Sequence, residues 1–566
     1  MQNFSELEYK RPDFAACRKK LAAITKKVKS AASYEDYRAA YVEAEAVISE
    51  VYTMSSLCHI RNTMDKTDAF YEAEQKAVAS GNAKMSLSLQ KLMKAAVASP
   101  FRKDFDGEFG PQLMKSFEME LKLINFRIVP DMIKEDRLSQ KYSKDAALCK
   151  CDFRGEECNF YGLLKHMESP DRAERAEAFR AWAALYEGVS SKLDATNDKL
   201  VVLRVRKAKK LGFPNFIDYI YPARGRFDYT AADVERFRAK VREVIVPFCA
   251  GLYKEQAARL GIEDMHWYDE ALVFPEGNAV PQGSMPELVE KAGRMYSEMS
   301  PETGEFFSFM REHELFDLET RPGKHLGGYC TFLPDHKAPF IFSNFNGTSA
   351  DVDVLTHEAG HAFECYTASR TLPLQNQISS TSEINEIHSM SMEHFAYPWM
   401  ESFFGDKADK YRFAHLCSAV ETIPYLVSVD EFQHRVFEDP GMSAADRRKV
   451  WKEIEKAYLP WRDYDGNAFL EGGGFWMQKQ HIFLYPFYYV DYALAQICAF
   501  QFFLRMREDR EGAWQDYLKL CRAGGSKGYF ELLEYAGLDN PFAEGTVEKV
   551  IAGVREAVEE FRAKLA

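Results

Sequence analysis

The sequence predicts a mainly α-helical protein with one small β-sheet placed directly before a short histidine-bearing motif. Three observations predict it. Long stretches are rich in Ala, Lys, Leu, Met and Gln, residues that cost little in a helix. One segment, 324–346, breaks this composition with Gly, Pro and aromatic residues. Just beyond it stands His357-Glu358-Ala359-Gly360-His361, whose histidines share one face if the segment is helical.

In chain order, the stretch Ala73–Ala98 carries Met85, Leu87, Leu89, Leu92 and Met93, closely enough spaced for a broad buried stripe. Ala173–Lys207, Ala231–Arg259 and Met285–Glu312 read the same way. Thr230 is placed to cap the third of these four stretches, with Asp233 at its third position. Ser284 is placed to cap the fourth, with Pro286 in the first turn. Within 324–346 (KHLGGYCTFLPDHKAPFIFSNFN), two strands are predicted, Gly328–Leu333 and Ala338–Asn344, joined by a turn at Pro334-Asp335-His336. A turn at 346–349 follows, and Ser349 or Asp351 can cap the motif helix. The free edge of such a sheet can hold an extended peptide by main-chain hydrogen bonds. Residues 381–400 form the next helix. Gly472-Gly473-Gly474 implies either mobility or close backbone approach. Residues 480–492 place His481, Tyr485, Tyr488, Tyr489 and Tyr492 on one helical face, with Pro486 as a point where it can kink.

Neither a fixed-period repeat nor a low-complexity tract is present. The softest boundary lies between Gly212 and Gly225. It divides a helical N-terminal region, 1–210, from a catalytic region, 211–566.

Bulk properties exclude several classes. The 566 residues include 46% hydrophobic and 28% charged side chains, as in an ordinary globular chain with a sizeable core. A formal charge of −13 with no long basic run argues against nucleic acid as a partner. The N-terminus has no apolar leader, and no run of eighteen apolar residues occurs, so no membrane association is expected. Eleven scattered cysteines do not make a disulfide framework. The closest group, Cys149, Cys151 and Cys158, lacks the second ligand pair of a cysteine metal site and reads as free thiols. A reducing, cytoplasmic setting is expected.

The motif carries the chemistry. Histidines one turn apart can share one Zn²⁺, and the glutamate between them can activate a metal-bound water. A catalytic zinc needs a third protein ligand. The following helix offers Glu383, Glu386, His388, Glu393 and His394. Of these, Glu386 and Glu393 share one face with Ser389. One glutamate can bind metal while the other fixes a histidine tautomer.

His-Glu-Ala-Gly-His, followed by Glu386-x-x-Ser389-x-x-x-Glu393, resembles the thimet oligopeptidase and oligoendopeptidase F family of zinc peptidases, in its oligoendopeptidase F branch. The segments Arg224–Thr230, Gly323–Cys330 and Phe342–Gly347 resemble it too, so the likeness spans roughly 224–492. One departure is Glu364, where family members often carry a histidine. The resemblance implies a two-lobed helical zincin-type fold with a deep substrate channel. It implies one Zn²⁺ per chain, held by His357, His361 and Glu386, with Glu383 as the fallback ligand. Glu358 would be the general base. His481 and Tyr489 would stabilise the oxyanion, with Tyr485, Tyr488 and Tyr492 as near equals. The expected activity is endopeptidase cleavage of short unstructured peptides by a monomer or small homo-oligomer. The alternatives are a zinc carboxypeptidase or aminopeptidase, and a non-catalytic helical binding protein with a vestigial motif. Cys365 is expected to pack rather than react.

Overall fold

The structure is a computed structural model that describes residues 1–325 and 327–565. Leu326, within the segment Gly323–Cys330, lies outside the described residues. Helices dominate, as the composition predicts, and the strands are few and short.

Two compact units emerge, each assembled from separated stretches. Unit 1 comprises 1–122, 280–408 and 498–540; unit 2 comprises 123–279, 409–497 and 541–566. They are drawn differently from a single division at residue 210. The reason is packing. In unit 1 the N-terminal helices bury Leu21, Tyr37, Tyr41, Phe105 and Phe117 together with Leu374, which lies far along the chain. Amphipathic helices bury their apolar faces against whichever element fits, regardless of sequence distance.

The predicted helices form, with informative breaks. Thr230 and Ser284 both sit at N-caps with reciprocal capping boxes, to Asp233 and Glu287. The stretch after Thr230 passes through a π-turn at Val241–Ile245 before Val246–Leu260, where Pro247 has no N–H to donate. The stretch from Met285 is two helices, Met285–Met299 and Pro301–Glu312. Ser300 is fully extended between them and caps the second.

In unit 2, Cys151–Phe153 (β1) and Glu156–Cys158 (β2) form an antiparallel hairpin. Arg154 and Gly155 turn it, both at positive φ. Three-residue strands show no usable alternation, so periodicity cannot reveal this hairpin. The helices Phe160–His166 (α1) and Arg172–Lys210 (α2) follow.

In unit 1, Phe316–Glu319 (β3), Tyr329–Leu333 (β4) and Ala338–Phe345 (β5) form a sheet in the order β3-β5-β4. β4 pairs antiparallel with β5 from Tyr329↔Phe342 to Leu333↔Ala338, matching the two predicted strands. β3 runs parallel to β5 and adds a strand beyond the two predicted, its Phe-Asp-Leu-Glu alternation being only four residues long. β5 is central and buried from Ala338 to Ser343, while β4 has a strand on one side only among the described residues. The Lys324 ammonium is buried and donates to the carbonyls of Asp317 (3.0 Å), Glu319 (2.9 Å) and Ser343 (2.6 Å), and to Asp317 Oδ1 (3.0 Å). That one side chain ties β3 to β5, which gives the Gly323–Cys330 segment a structural purpose. The motif helix, Ala350–Thr371 (α3), packs on this sheet and against Ser382–Phe395 (α4). No helix among the described residues is long and apolar enough to cross a membrane.

Candidate metal centre

α3 starts at a turn held from within. The Asp351 carboxylate accepts from Asn346 N–H (2.9 Å) and Gly347 N–H (2.7 Å), while Ser349 occupies the cap position without a side-chain bond. The helix then presents His357, Glu358 and His361, all half-buried.

Glu386 comes from α4 and stands beneath both imidazoles. Its Oε2 lies 3.4 Å from His357 Nε2 and 3.5 Å from His361 Nε2. One ligand atom from each of the three residues falls within 4.8 Å of the others. A tetrahedral zinc with bonds of about 2.0–2.2 Å has ligand–ligand edges of about 3.3–3.5 Å. The donor set and both edges therefore fit a zinc ion.

The surrounding bonds orient this set. His357 Nδ1 is 2.6 Å from Glu393 Oε1, which leaves Nε2 facing Glu386. Ser389 Oγ donates to Glu386 Oε2 at 3.0 Å. Burial alone would lower the pKa of His357, but the bonds and charges of Glu386 and Glu393 outweigh it and hold the imidazole well above its usual range. Burial likewise pushes Glu386 up, and His361 and His357 outweigh it, so its carboxyl lies well below the ordinary range. Two carboxylates that stabilise positive charge on an imidazole could equally balance a dication.

Glu383 is buried and outside this group. His388 and His394 are buried as well. His394 packs among the rings of Tyr397, Phe500 and Phe503. Burial lowers the pKa of His388 to about 3, so it stays neutral.

A glycine sets the spacing of the two helices. A Cβ on Gly360 would lie 2.6 Å from Ser389 Cα and 2.7 Å from the His388 carbonyl oxygen. Only a bare Cα lets α3 approach α4 this closely, and that approach brings Glu386 under the histidines. Gly328, just ahead of β4, plays a similar part. A Cβ there would sit 3.3 Å from the Phe342 carbonyl and 3.9 Å from Glu358 Oε1, so the carboxylate lies over the start of the edge strand.

Glu364 is only 3% exposed, and burial pushes its carboxyl up to about 8. Its folded-state pKa is thus raised above the unfolded value of about 4.3. The stability linked to it is full below that value and is lost as pH rises through about 8. Glu364→Gln is expected to unfold at the wild-type temperature near pH 5 and roughly 2–5 °C higher at pH 9, read by calorimetry. Equal melting temperatures at pH 9 would show that the carboxyl is already solvated. Burial also pushes the neighbouring Cys365 thiol up, against reactivity.

The His481–tyrosine stretch departs from the single helix expected for it. Gln480–Leu484 (α5) stops at Tyr485, Pro486 follows, Phe487 takes a φ of 63°, and a new helix, Tyr489–Glu508 (α6), begins. The proline ring and lost N–H end α5, so helical spacing does not describe these side chains. The bend gathers them instead. The His481 ring lies 4.6 Å from Tyr489, 5.8 Å from Tyr488 and 5.9 Å from Tyr485, and Tyr492 lies 5.1 Å from Tyr488. Tyr485 is 56% exposed and Tyr489 8%. This cluster belongs to unit 2, whereas His357, Glu358, His361 and Glu386 belong to unit 1.

An anchor beneath the cluster escapes sequence reasoning. Asp491 is buried and accepts from Arg226 Nη2 (2.5 Å) and Arg224 Nη2 (3.1 Å). The Arg224 guanidinium also covers the Tyr488 ring at 4.6 Å. The Arg224-Gly225-Arg226 segment thus clamps the start of α6. The partners are 265 residues apart for Arg226 and Asp491, so only the resemblance of that segment hints at a role. Lys479 lies 4.8 Å from the Tyr489 ring, and burial lowers its pKa to about 8. The triple glycine serves close approach. A Cβ on Gly473, which has a φ of 91°, would collide with the Arg448 carbonyl at 2.0 Å.

Comparison with known proteins adds to this geometry. The profile described as "Peptidase M3 N-terminal domain" matches residues 4–124, and that of "Peptidase family M3" matches 165–550. Among solved structures, Pz peptidase A with a bound inhibitor is 44% identical, covering 98% of this chain and 99% of its own, with a TM-score of 0.94. Group B oligopeptidase PepB of Streptococcus agalactiae is 24% identical over 68% of this chain. The oligoendopeptidase F homolog of Borreliella burgdorferi is 24% identical over 44% of it. The match spans 63% of the first curated relative's length and 42% of the second's.

Proposed function

The chain belongs to peptidase family M3, and from that premise we propose that it is a zinc-dependent endopeptidase of short, unstructured peptides. One observation carries this reading. Two histidines and a glutamate from two helices stand at tetrahedral-edge distances of 3.4 and 3.5 Å, with the Glu358 carboxylate on the adjoining turn. Zn²⁺ bound there would act as a Lewis acid, polarising a peptide carbonyl and making water more acidic.

The remaining chemistry falls to the chain itself. Glu358 accepts a proton from the attacking water and returns it to the leaving amine. β4, which has a strand on one side only among the described residues, offers its other edge to an extended peptide backbone. Glu393 and Ser389 keep His357 and Glu386 in their binding orientations. His481 and the tyrosines carry N–H and O–H groups of the kind that stabilise an oxyanion.

The test is metal content measured on protein incubated with a peptide ladder, with products read by mass spectrometry. Internal cleavage of short peptides with one equivalent of zinc at this site is expected. A requirement for a free α-amino or α-carboxyl group would make it an exopeptidase. Stoichiometric absence of zinc would end the metallopeptidase reading. Glu386→Ala is expected to lose the zinc and at least about 10²-fold in kcat/KM, while Glu383→Ala keeps both. The reverse result would move the third ligand to Glu383.

A further inference from the structure

The β1–β2 hairpin and α1 bring together three side chains that the peptidase chemistry does not use. Glu156 and Cys158 are two apart on β2, so they leave the same face of the hairpin. His166 is the last residue of α1, and its ring lies 4.7 Å from Phe153, the residue paired with Glu156 across the hairpin. One carboxylate oxygen, the Cys158 sulfur and one His166 ring nitrogen all lie within 4.8 Å of one another.

Two further features suit a ligand set. The first is the orientation of the imidazole. His166 Nδ1 is 2.7 Å from Glu174 Oε1, so coordination of a metal would fall to Nε2. Glu174 is itself fixed by Ser169 Oγ at 2.9 Å and by an Arg154 ion pair at 3.2 Å. The second is the rigid link between sulfur and helix. Asn159, immediately after Cys158, caps α1 by accepting from Tyr161 N–H and Gly162 N–H, each at 3.0 Å. A Cβ on Gly162 would lie 3.3 Å from the Cys158 sulfur, so the glycine leaves that flank uncrowded.

We propose that Glu156, Cys158 and His166 form a second divalent-metal site, selective for Zn²⁺ or a similarly thiophilic ion, that pins the hairpin to α1. A thiol, an imidazole and a carboxylate suit zinc and disfavour calcium or magnesium, which take oxygen ligands. Tetrahedral edges here would be about 3.3–3.8 Å, and the exposed Glu156 side chain is free to close any remaining gap on binding. The Cys158 thiol proton leaves to solvent, the sulfur donates an electron pair, and no group is oxidised or reduced. Water, or Cys151 opposite Cys158 in the ladder, takes the fourth position.

The test uses the full chain, reduced with a phosphine, stripped by a chelator and titrated with Co²⁺. Thiolate coordination gives a near-ultraviolet charge-transfer band that the His357–His361–Glu386 set, having no sulfur, does not produce. One equivalent of this band is expected in the wild type and in His361→Ala. It should be lost in Cys158→Ser, and His166→Gln should weaken metal binding at least about 10-fold. Hydrogen exchange over residues 151–166 should slow on adding Zn²⁺ to the wild type. Should Cys158→Ser fail to fold, the half-exposed His166→Gln decides. No band in the wild type, or a band that survives Cys158→Ser or disappears in His361→Ala, overturns the site. So does quantitative Cys151–Cys158 disulfide in untreated protein with no metal uptake here after reduction.

Discussion

Glu358→Gln is expected to lower kcat by at least about 10²–10⁴-fold while zinc remains bound. Glutamine keeps the volume and one carbonyl oxygen of the side chain but cannot accept a proton. The residue lies outside the group formed by His357, His361 and Glu386, so metal affinity has no reason to change. Its carboxylate lies beside Gly328, at the entry to the edge strand, where an extended peptide would present its backbone. Steady-state kinetics on one fluorogenic peptide, with zinc measured on the same preparation, make the comparison. A variant that cleaves at the wild-type rate would remove Glu358 from the mechanism. A variant that is dead but also metal-free would make the residue structural.

The second large effect is expected at a residue with no side chain. Gly360→Ala places a methyl group 2.6 Å from Ser389 Cα and 2.7 Å from the His388 carbonyl. Both obstacles are backbone, so no rotamer relieves them. α3 and α4 must separate by roughly 1 Å to restore ordinary contact, at a cost of about 1–3 kcal/mol. α4 carries Glu386, Ser389 and Glu393 together, so the displacement strikes ligand and orienting groups at once. The His388 carbonyl also accepts from the Tyr517 hydroxyl at 2.9 Å, a buried bond the shift would stretch. Zinc affinity and kcat/KM should both fall at least about 10²-fold. Gly251 provides the contrast. It lies in the helix Val246–Leu260, and a methyl group added there would meet nothing within 4 Å. Gly251→Ala should therefore be neutral or stabilising by about 0.5–1 kcal/mol. If Gly360→Ala holds zinc and melts like the wild type, the helix spacing is not what places Glu386.

The candidate metal centre is legible in the sequence because its parts are local. His357 and His361 share a helix turn, and Glu386, Ser389 and Glu393 share the face of the next helix. Periodicity reads both. The capping pairs Thr230–Asp233 and Ser284–Glu287 are legible for the same reason. Reading fails where tertiary partners decide. The Arg226–Asp491 pair joins distant segments, and β3 alternates apolar and polar residues over four positions only, too few to stand out. Helical spacing is the wrong ruler for His481 and the tyrosines, because Pro486 and the positive φ of Phe487 fold the segment back. The cysteine cluster, taken from sequence, looks like a set in need of more cysteines. Of its three members, Cys158 stands within 4.8 Å of Glu156 and His166, brought in by a hairpin and a short helix that leave little trace in periodicity.

β4 ends the sheet with one side unpaired among the described residues, close to Glu358. A peptide gripped by that edge would be recognised by groups it shares with every other peptide. Each residue except proline brings the same N–H and the same carbonyl, so the edge would register availability rather than identity. A helix or a paired strand has already committed those groups and has nothing to lend, whereas a loose fragment has all of them free. Replacing alternate amides by N-methyl amides should therefore weaken binding more than shuffling the side chains of the same peptide.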